Sequence, residues 1–161
     1  LITLILVEAG VLREPILYLS LFLKSRRDDY YRLLQGVRQA GAWEAWMEFF
    51  LTGVAETAEQ ASETARDLMA MFDAHRQQIG TLGRSAPSAL RVHEFMQARP
   101  IVTIQAVADA LSTSFPTASG ALEKLAELGI VRETTGKQRG RIYAYFDYLA
   151  LLDRGTEPLP A

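Results

Sequence analysis

Residues 103–146 read TIQAVADALSTSFPTASGALEKLAELGIVRETTGKQRGRIYAYF, and the order of signals within them decides the fold. Thr103 stands where an N-cap belongs, ahead of IQAVADAL, in which Ile104, Val107, Ala108 and Leu111 fall on one helical face. Ser114 repeats the signal for FPTASGALEKLAEL, with Pro116 in the first turn and Gly129 placed to end the helix in a left-handed conformation. Ala118, Leu122, Leu125 and Leu128 make the buried face, which leaves Thr117, Gly120, Glu123, Lys124 and Glu127 outside. Beyond Gly129 the pattern changes from helical to alternating. Two short strands are expected, Ile130 to Glu133 and Arg141 to Phe146, joined by a glycine-containing tip that carries Lys137 and Arg139. In the second, Ile142, Ala144 and Phe146 alternate with Arg141, Tyr143 and Tyr145, so one of the two sets faces the core.

Just upstream, SALRVHEFMQAR sets Leu90, Val92, Phe95 and Met96 near one face and stops at Pro100, which disfavours helix at Arg99. Three helices followed by a two-stranded hairpin resemble a winged helix-turn-helix, over residues 88–161. From Ser85 onward there are eight basic and eight acidic residues, so any attraction to nucleic acid must be local. The stretch from Arg132 to Arg141 holds four cations against Glu133, a local excess that suits a few phosphates. The helix before it is less persuasive, because Glu123 and Glu127 flank Lys124. Two uses therefore stay open. One is contact with double-stranded DNA, with Ser114, Thr117 and Lys124 toward the major groove and Lys137, Arg139 and Arg141 on phosphates. The other is packing or protein contact.

The cluster of Gly, Ser and Pro in GTLGRSAPSA, residues 80–89, places a linker at 83–87 and a first, helical region at 1–82. There Pro15 opens PILYLSLFL, and RRDDYYRLLQGVRQAG has Asp28 and Asp29 in its first turn and Gly41 past its end. From Met47, the residues Leu51, Val54, Ala58, Ala61, Ala65, Leu68, Phe72, His75, Ile79 and Leu82 fall at alternating steps of four and three, a narrow helical seam. An unbroken helix from Trp43 to Leu82 would be about 60 Å long. It is expected to bend near Gly53, or to reach a second region or a second chain, and self-association along the seam follows from that. His75 on the seam reads as a packed histidine with a local partner, since no second ligand stands beside it at metal spacing.

The 161 residues are 49% hydrophobic and 22% charged with a formal net charge of −2, an ordinary globular balance without a field for an anionic membrane. The absence of cysteine removes disulfides and thiolate sites and agrees with a cytoplasmic location. The opening LITLILVEAG has apolar residues from Leu1 to Val7, far short of a membrane span of roughly 20 residues, and lacks a signal peptide's basic flank. It reads as a core helix that ends at Gly10, with exposed Leu4, Leu6 and Leu17 where preceding helices would pack.

The segments EAGVLREPILYLS, RRDDYYRLLQGVR and AWEAWMEFFLTGVAETA, in this order, resemble the C-terminal part of the Fic (filamentation induced by cAMP, Fic/Doc) fold. The winged helix after them is similar to one that closes many bacterial members. The resemblance implies a mainly α protein, a helical bundle segment followed by a winged helix domain. In the family, the helix spelled here LITLILVEAG follows the catalytic loop His-Pro-Phe-x-x-Gly-Asn-Gly-Arg, and the chemistry is transfer of AMP from ATP, with magnesium, to a protein hydroxyl. That loop does not occur in this sequence, where neither His75 nor His93 precedes Pro-Phe. The expectation is thus a non-catalytic C-terminal portion of a nucleotidyltransferase that holds no metal or cofactor itself, with a protein target belonging to the parent. By the same resemblance Tyr31 and Tyr30 would lie near the adenine side of the pocket and Arg38 at a polar adenine-contact position. Amphipathic core tyrosines are the alternative, as is a stand-alone binding module on a helical dimerisation arm.

Overall fold

The computed structural model describes residues 5, 8–10, 19–137 and 139–154. Leu4, Leu6, Leu17 and the start of the helix at Pro15 lie outside the described residues. Gly10 is left-handed, with φ +70°, as a helix terminator requires. The chain is mainly helical with one small antiparallel sheet, and it divides into two compact units whose boundary falls between Arg66 and Asp67.

In the unit before Asp67, α1 (Leu19–Ser25) and α2 (Arg27–Ala40) precede α3, which runs unbroken from Trp43 to Gly80. Asp28 and Asp29 occupy the first turn of α2, and Gly41, at φ +65°, ends it while its N–H bonds to carbonyls one turn back. Large rings hold this unit together. Phe22 is buried with its centroid 5.2 Å from Phe49, Trp46 lies 5.9 Å from Phe49, and Tyr30 meets Trp46 edge-on at 5.3 Å. Gly53 does not break α3; it makes room for the Phe22 ring, whose edge occupies the space a Cβ would need. One turn on, buried Thr57 donates to the Gly53 carbonyl at 2.6 Å.

The second unit, Asp67–Arg154, takes in the end of α3, so the expected boundary at 83–87 is displaced. Ile79 is fully buried in the core of this unit, with Met71, Phe72 and Leu82 packed against it. The supposed linker is a single 3-10 turn, Gly83–Ser85, and α4 (Ala86–Ala98) begins at once with Pro87 in its first turn. Then come β1 (Ile101–Thr103), α5 (Ile104–Ala110), α6 (Phe115–Glu127), β2 (Arg132–Glu133), β3 (Ile142–Ala144) and α7 (Phe146–Asp153). Both expected caps form: Thr103 Oγ1 accepts from the Ala106 N–H at 3.2 Å and Ser114 Oγ from that of Thr117 at 3.3 Å. Ser112, at φ +49°, makes the tight corner between α5 and α6.

The sheet corrects the two-stranded expectation. It has three strands in the order β1-β3-β2, with Ile101 opposite Ala144 and Arg132 also opposite Ala144. IVT is too short to announce itself as a strand; pairing with β3 makes it one. The last residue assigned to the second strand, Phe146, instead starts α7 and is exposed, while Tyr143, Ala144 and Tyr145 are buried. Pairing with β1 and β2 satisfies both edges of β3, and Tyr143 and Tyr145 join the core cluster.

Two glycines of the first unit test this packing. Gly53→Ala should lower stability by about 1–3 kcal/mol, since the methyl overlaps the Phe22 ring. Gly36→Ala in α2, where the nearest atom to a new Cβ is Ala42 Cβ at 3.7 Å, should raise it by up to about 1 kcal/mol. Chemical unfolding of the two variants should therefore shift midpoints in opposite directions; a shift of the same sign would disprove the placement of Phe22.

Candidate functional site

The start of α6 and the β2–β3 hairpin carry the DNA-contact candidates. Ser114 and Thr117 are exposed at the helix N-terminus, their hydroxyl oxygens 2.8 Å apart, and both are partly occupied with capping. Phe115 lies between them in sequence and is also exposed, an apolar ring that the composition-based reading passed over. Lys124 is half-buried and pairs with Glu127 at 2.6 Å. The acidic neighbour that weakened α6 as a candidate is therefore bound to the lysine itself.

Arg141 is committed inside the unit. Its guanidinium donates to Ser119 Oγ and to Glu123 Oε1, each at 3.0 Å, so the base of β3 clasps the middle of α6. The clasp holds the Glu123 carboxyl below the usual carboxylate range, with the Arg141 hydrogen bond the main cause and Ser119 the second. A pair this exposed contributes little stability, and its consequence is charge placement: the carboxylate that would repel a phosphate is covered by a cation. Lys137 and Arg139 are exposed on the tip. Arg132, at the other end of the hairpin, lies over the Phe146 ring at 5.1 Å.

Glu133 organises the tip. Its carboxylate accepts from the Thr135 N–H at 2.8 Å, from the Thr135 hydroxyl, and from the Gly136 N–H at 2.9 Å. Gly136 sits at φ +61°, a conformation that turns its N–H toward the carboxylate and that glycine adopts without strain. Hydrogen bonds from Thr135, side chain before backbone, hold the Glu133 carboxyl below its ordinary value.

The candidates carried by the Fic resemblance lie in the first unit. Tyr30 is half-buried against Trp46 and Tyr31, which makes it a packing residue, whereas Tyr31 is exposed with the Arg27 guanidinium 5.5 Å from its ring centre. Arg38 is exposed near the end of α2, the position that suits a cation at a helix C-terminus.

One polar cluster was half-legible. His75, on the seam, does have a local partner: its Nδ1 lies 2.6 Å from Tyr145 Oη, and His93 Nε2 approaches the same oxygen at 3.0 Å. Burial pushes His93 down to about 4, with His75 and Arg76 adding to it, and pushes the Tyr145 phenol well up. The signal available in the sequence was a buried-strand tyrosine, whose hydroxyl needs a partner. Among the described residues no three His, Asp or Glu side chains gather as a metal site requires, and no helix is long and apolar enough to cross a membrane.

The Glu133 turn has a pH signature. A carboxyl with a depressed folded-state pKa stabilises its surroundings above the unfolded value and ceases to do so as pH falls through the folded one. The amide signals of Thr135 and Gly136 should therefore move together in an NMR titration with a midpoint below the ordinary glutamate value of about 4.3. A midpoint at or above that value contradicts the turn. No protein-family model matches the chain.

Proposed function

We propose that residues 67–154 form a winged helix-turn-helix that contacts duplex DNA, carried on the C-terminal helices of a Fic-type AMP-transferring cytoplasmic protein. The observation that carries the first part is the element order helix, strand, helix, helix, strand, strand with the sheet order β1-β3-β2, in which α6 presents an exposed, hydroxyl-bearing N-terminus beside a basic hairpin. In this reading Ser114 and Thr117 meet base edges or phosphates at the start of α6, Lys124 approaches the groove, and Lys137 and Arg139 hold phosphates from the wing. Arg141 acts differently from its neighbours, as the cation that neutralises Glu123.

The second part rests on the three Fic-like segments of the sequence. The described residues do not by themselves fit ATP or magnesium: Tyr31 and Arg38 are exposed, Tyr30 packs on Trp46, and no carboxylate or imidazole cluster accompanies them. We assign no catalytic step to this chain. Its helices would wall the parent's active site, with the wing domain targeting or regulating it, and the chain would self-associate. Trp43, Met47 and Leu51, exposed at successive turns of α3, remain available for that contact, whereas Phe72 and Ile79 are used within the second unit.

Titration of mixed-sequence duplexes at several salt concentrations tests the DNA reading. With about three phosphates neutralised, log K should fall with log salt at a slope near −3, and replacing Lys137 and Arg139 together with alanine should flatten it by roughly two units. Arg141→Ala should weaken binding by uncovering Glu123, and Glu123→Gln in that background should restore it. Absence of binding at low salt, or binding indifferent to the wing variants, would make the unit a protein-contact module. Separately, this chain incubated with labelled ATP, magnesium and cell lysate should label no protein beyond a no-enzyme control; labelling would place the AMP-transfer chemistry within it.

A further inference from the structure

The cluster around Tyr145 plays no part in the proposed DNA contact, and its hydrogen bonds run through three side chains to Gln97. The Gln97 side-chain amide stands 3.4 Å from His93 Nδ1, and with its nitrogen donating there the neutral ring would carry its proton on Nε2. That proton points at Tyr145 Oη, 3.0 Å away. The phenol, accepting there, sends its own hydrogen to His75 Nδ1 at 2.6 Å, which leaves neutral His75 protonated on Nε2. We infer that Gln97, His93, Tyr145 and His75 form a one-way hydrogen-bonded chain that fastens the end of α3 to α4 and to the β3–α7 junction, and that acid unfastens it.

The reason is donor count. A second proton on His75 occupies Nδ1 and turns the acceptor of the phenol into a donor, so the phenolic hydrogen loses its partner. A second proton on His93 occupies Nδ1 and faces the Gln97 amide, donor against donor, until that amide turns over. The neighbours on each packed element are mixed in sign. From α3, Arg76, itself paired with Asp73 at 2.9 Å, disfavours a cationic His93. From α7, Asp147 favours a cationic His75, and Tyr148 packs its ring edge-on against Tyr145. From α4, Glu94 follows His93 in sequence but is exposed. On His75 burial outweighs Asp147, on His93 burial acts in the same direction as His75 and Arg76, and both rings favour the neutral form.

The sign follows. In the unfolded chain both histidines take a proton near pH 6.5, while in the folded chain they resist, His93 down to about 4. The contribution is complete above about pH 6.5 and is lost as pH falls toward 4. For His93 alone the unfolding equilibrium constant should rise roughly 20-fold between pH 7 and pH 5.

Imidazole nitrogen NMR on the whole chain, together with urea unfolding at the two pH values, tests this. At pH 7.5 both rings should appear as Nε2–H tautomers. His93→Gln, whose amide can donate from the Nε2 position, should stay folded and lose the 20-fold component of the pH response. His75→Asn, whose oxygen can accept at the Nδ1 position, should lose the smaller remainder, and the hydrogen-exchange protection factors of residues 67–80, corrected for the intrinsic rate, should fall more between pH 7 and pH 5 in the unsubstituted chain than in either variant. A Nδ1–H tautomer for His93, a His93 midpoint near 6.5, or an undiminished pH response in His93→Gln overturns the inference. Should that variant fail to fold, the tautomer and midpoint in the unsubstituted chain decide the matter.

Discussion

The burial of Tyr145 is the constraint on which the second unit depends. Its N–H donates to the Pro100 carbonyl at 2.8 Å, which ties the end of β3 to the residue before β1. Its ring lies 5.9 Å from Phe72 of α3 and 5.7 Å from both His93 of α4 and Tyr148 of α7. Its hydroxyl must be satisfied in a buried site, where an unpaired polar group costs roughly 1–3 kcal/mol, and among the described residues His75 and His93 reach it. Placing a phenol there forces imidazoles onto the two helices that face it. The apolar part of the core, with Met96, Val107, Leu122, Leu125 and Ile130 fully buried, can then close around a polar centre that has no orphaned atom.

Charge on this unit is organised by pairing more than by excess. Counting residues from Ser85 onward gives no net charge and makes α6 acidic around Lys124. Pairing changes that picture, because Lys124 holds Glu127, Arg141 holds Glu123, and Glu133 is spent on the backbone of its own turn. What the surface presents is then set by the groups left outside these contacts, chiefly at the hairpin tip. Each exposed pair contributes at most about 1 kcal/mol to folding, so their effect on the local field exceeds their effect on stability.

The helical part of the fold was legible because caps and periodicity are local. Thr103, Ser114 and Gly129 could be read as boundaries from their own chemistry, and all three act so. The strand IVT and the helix from Phe146 were not legible, because each depends on what lies across from it: β1 exists by pairing with β3, and Phe146 leaves the sheet after Tyr145 has turned inward. The boundary between the units failed for a related reason. GTLGRSAPSA has the composition of a linker, but Ile79 and Leu82 on its near side pack into the core that begins on its far side. Within the candidate site, the exposure of Ser114, Thr117, Lys137 and Arg139 followed from helix and turn positions. The engagement of Arg141 did not, since a cation in a strand gives no hint of which carboxylate a neighbouring helix offers it.

The long helix serves two cores, but not along one seam: Met47 and Leu51 are exposed, whereas Phe72 and Ile79 of the same seam pack within the second unit. Its large side chains lie at the two ends, half-buried Trp46, Phe49 and Phe50 near the start and half-buried Phe72 with buried Ile79 near the finish, each set packed with different partners. Between them Ala58, Ala61 and Ala65 bury little area, and at roughly 25 cal/mol per Å² they add little hydrophobic stabilisation. What keeps the middle helical is local: alanine and glutamate are strong helix formers, and Ser62 and Arg66 bond back to carbonyls one turn earlier. A helix anchored at both ends by packing and in between by propensity alone loses its middle without first losing either core. The order of unfolding along α3 is therefore set by where its rings lie and not by its length.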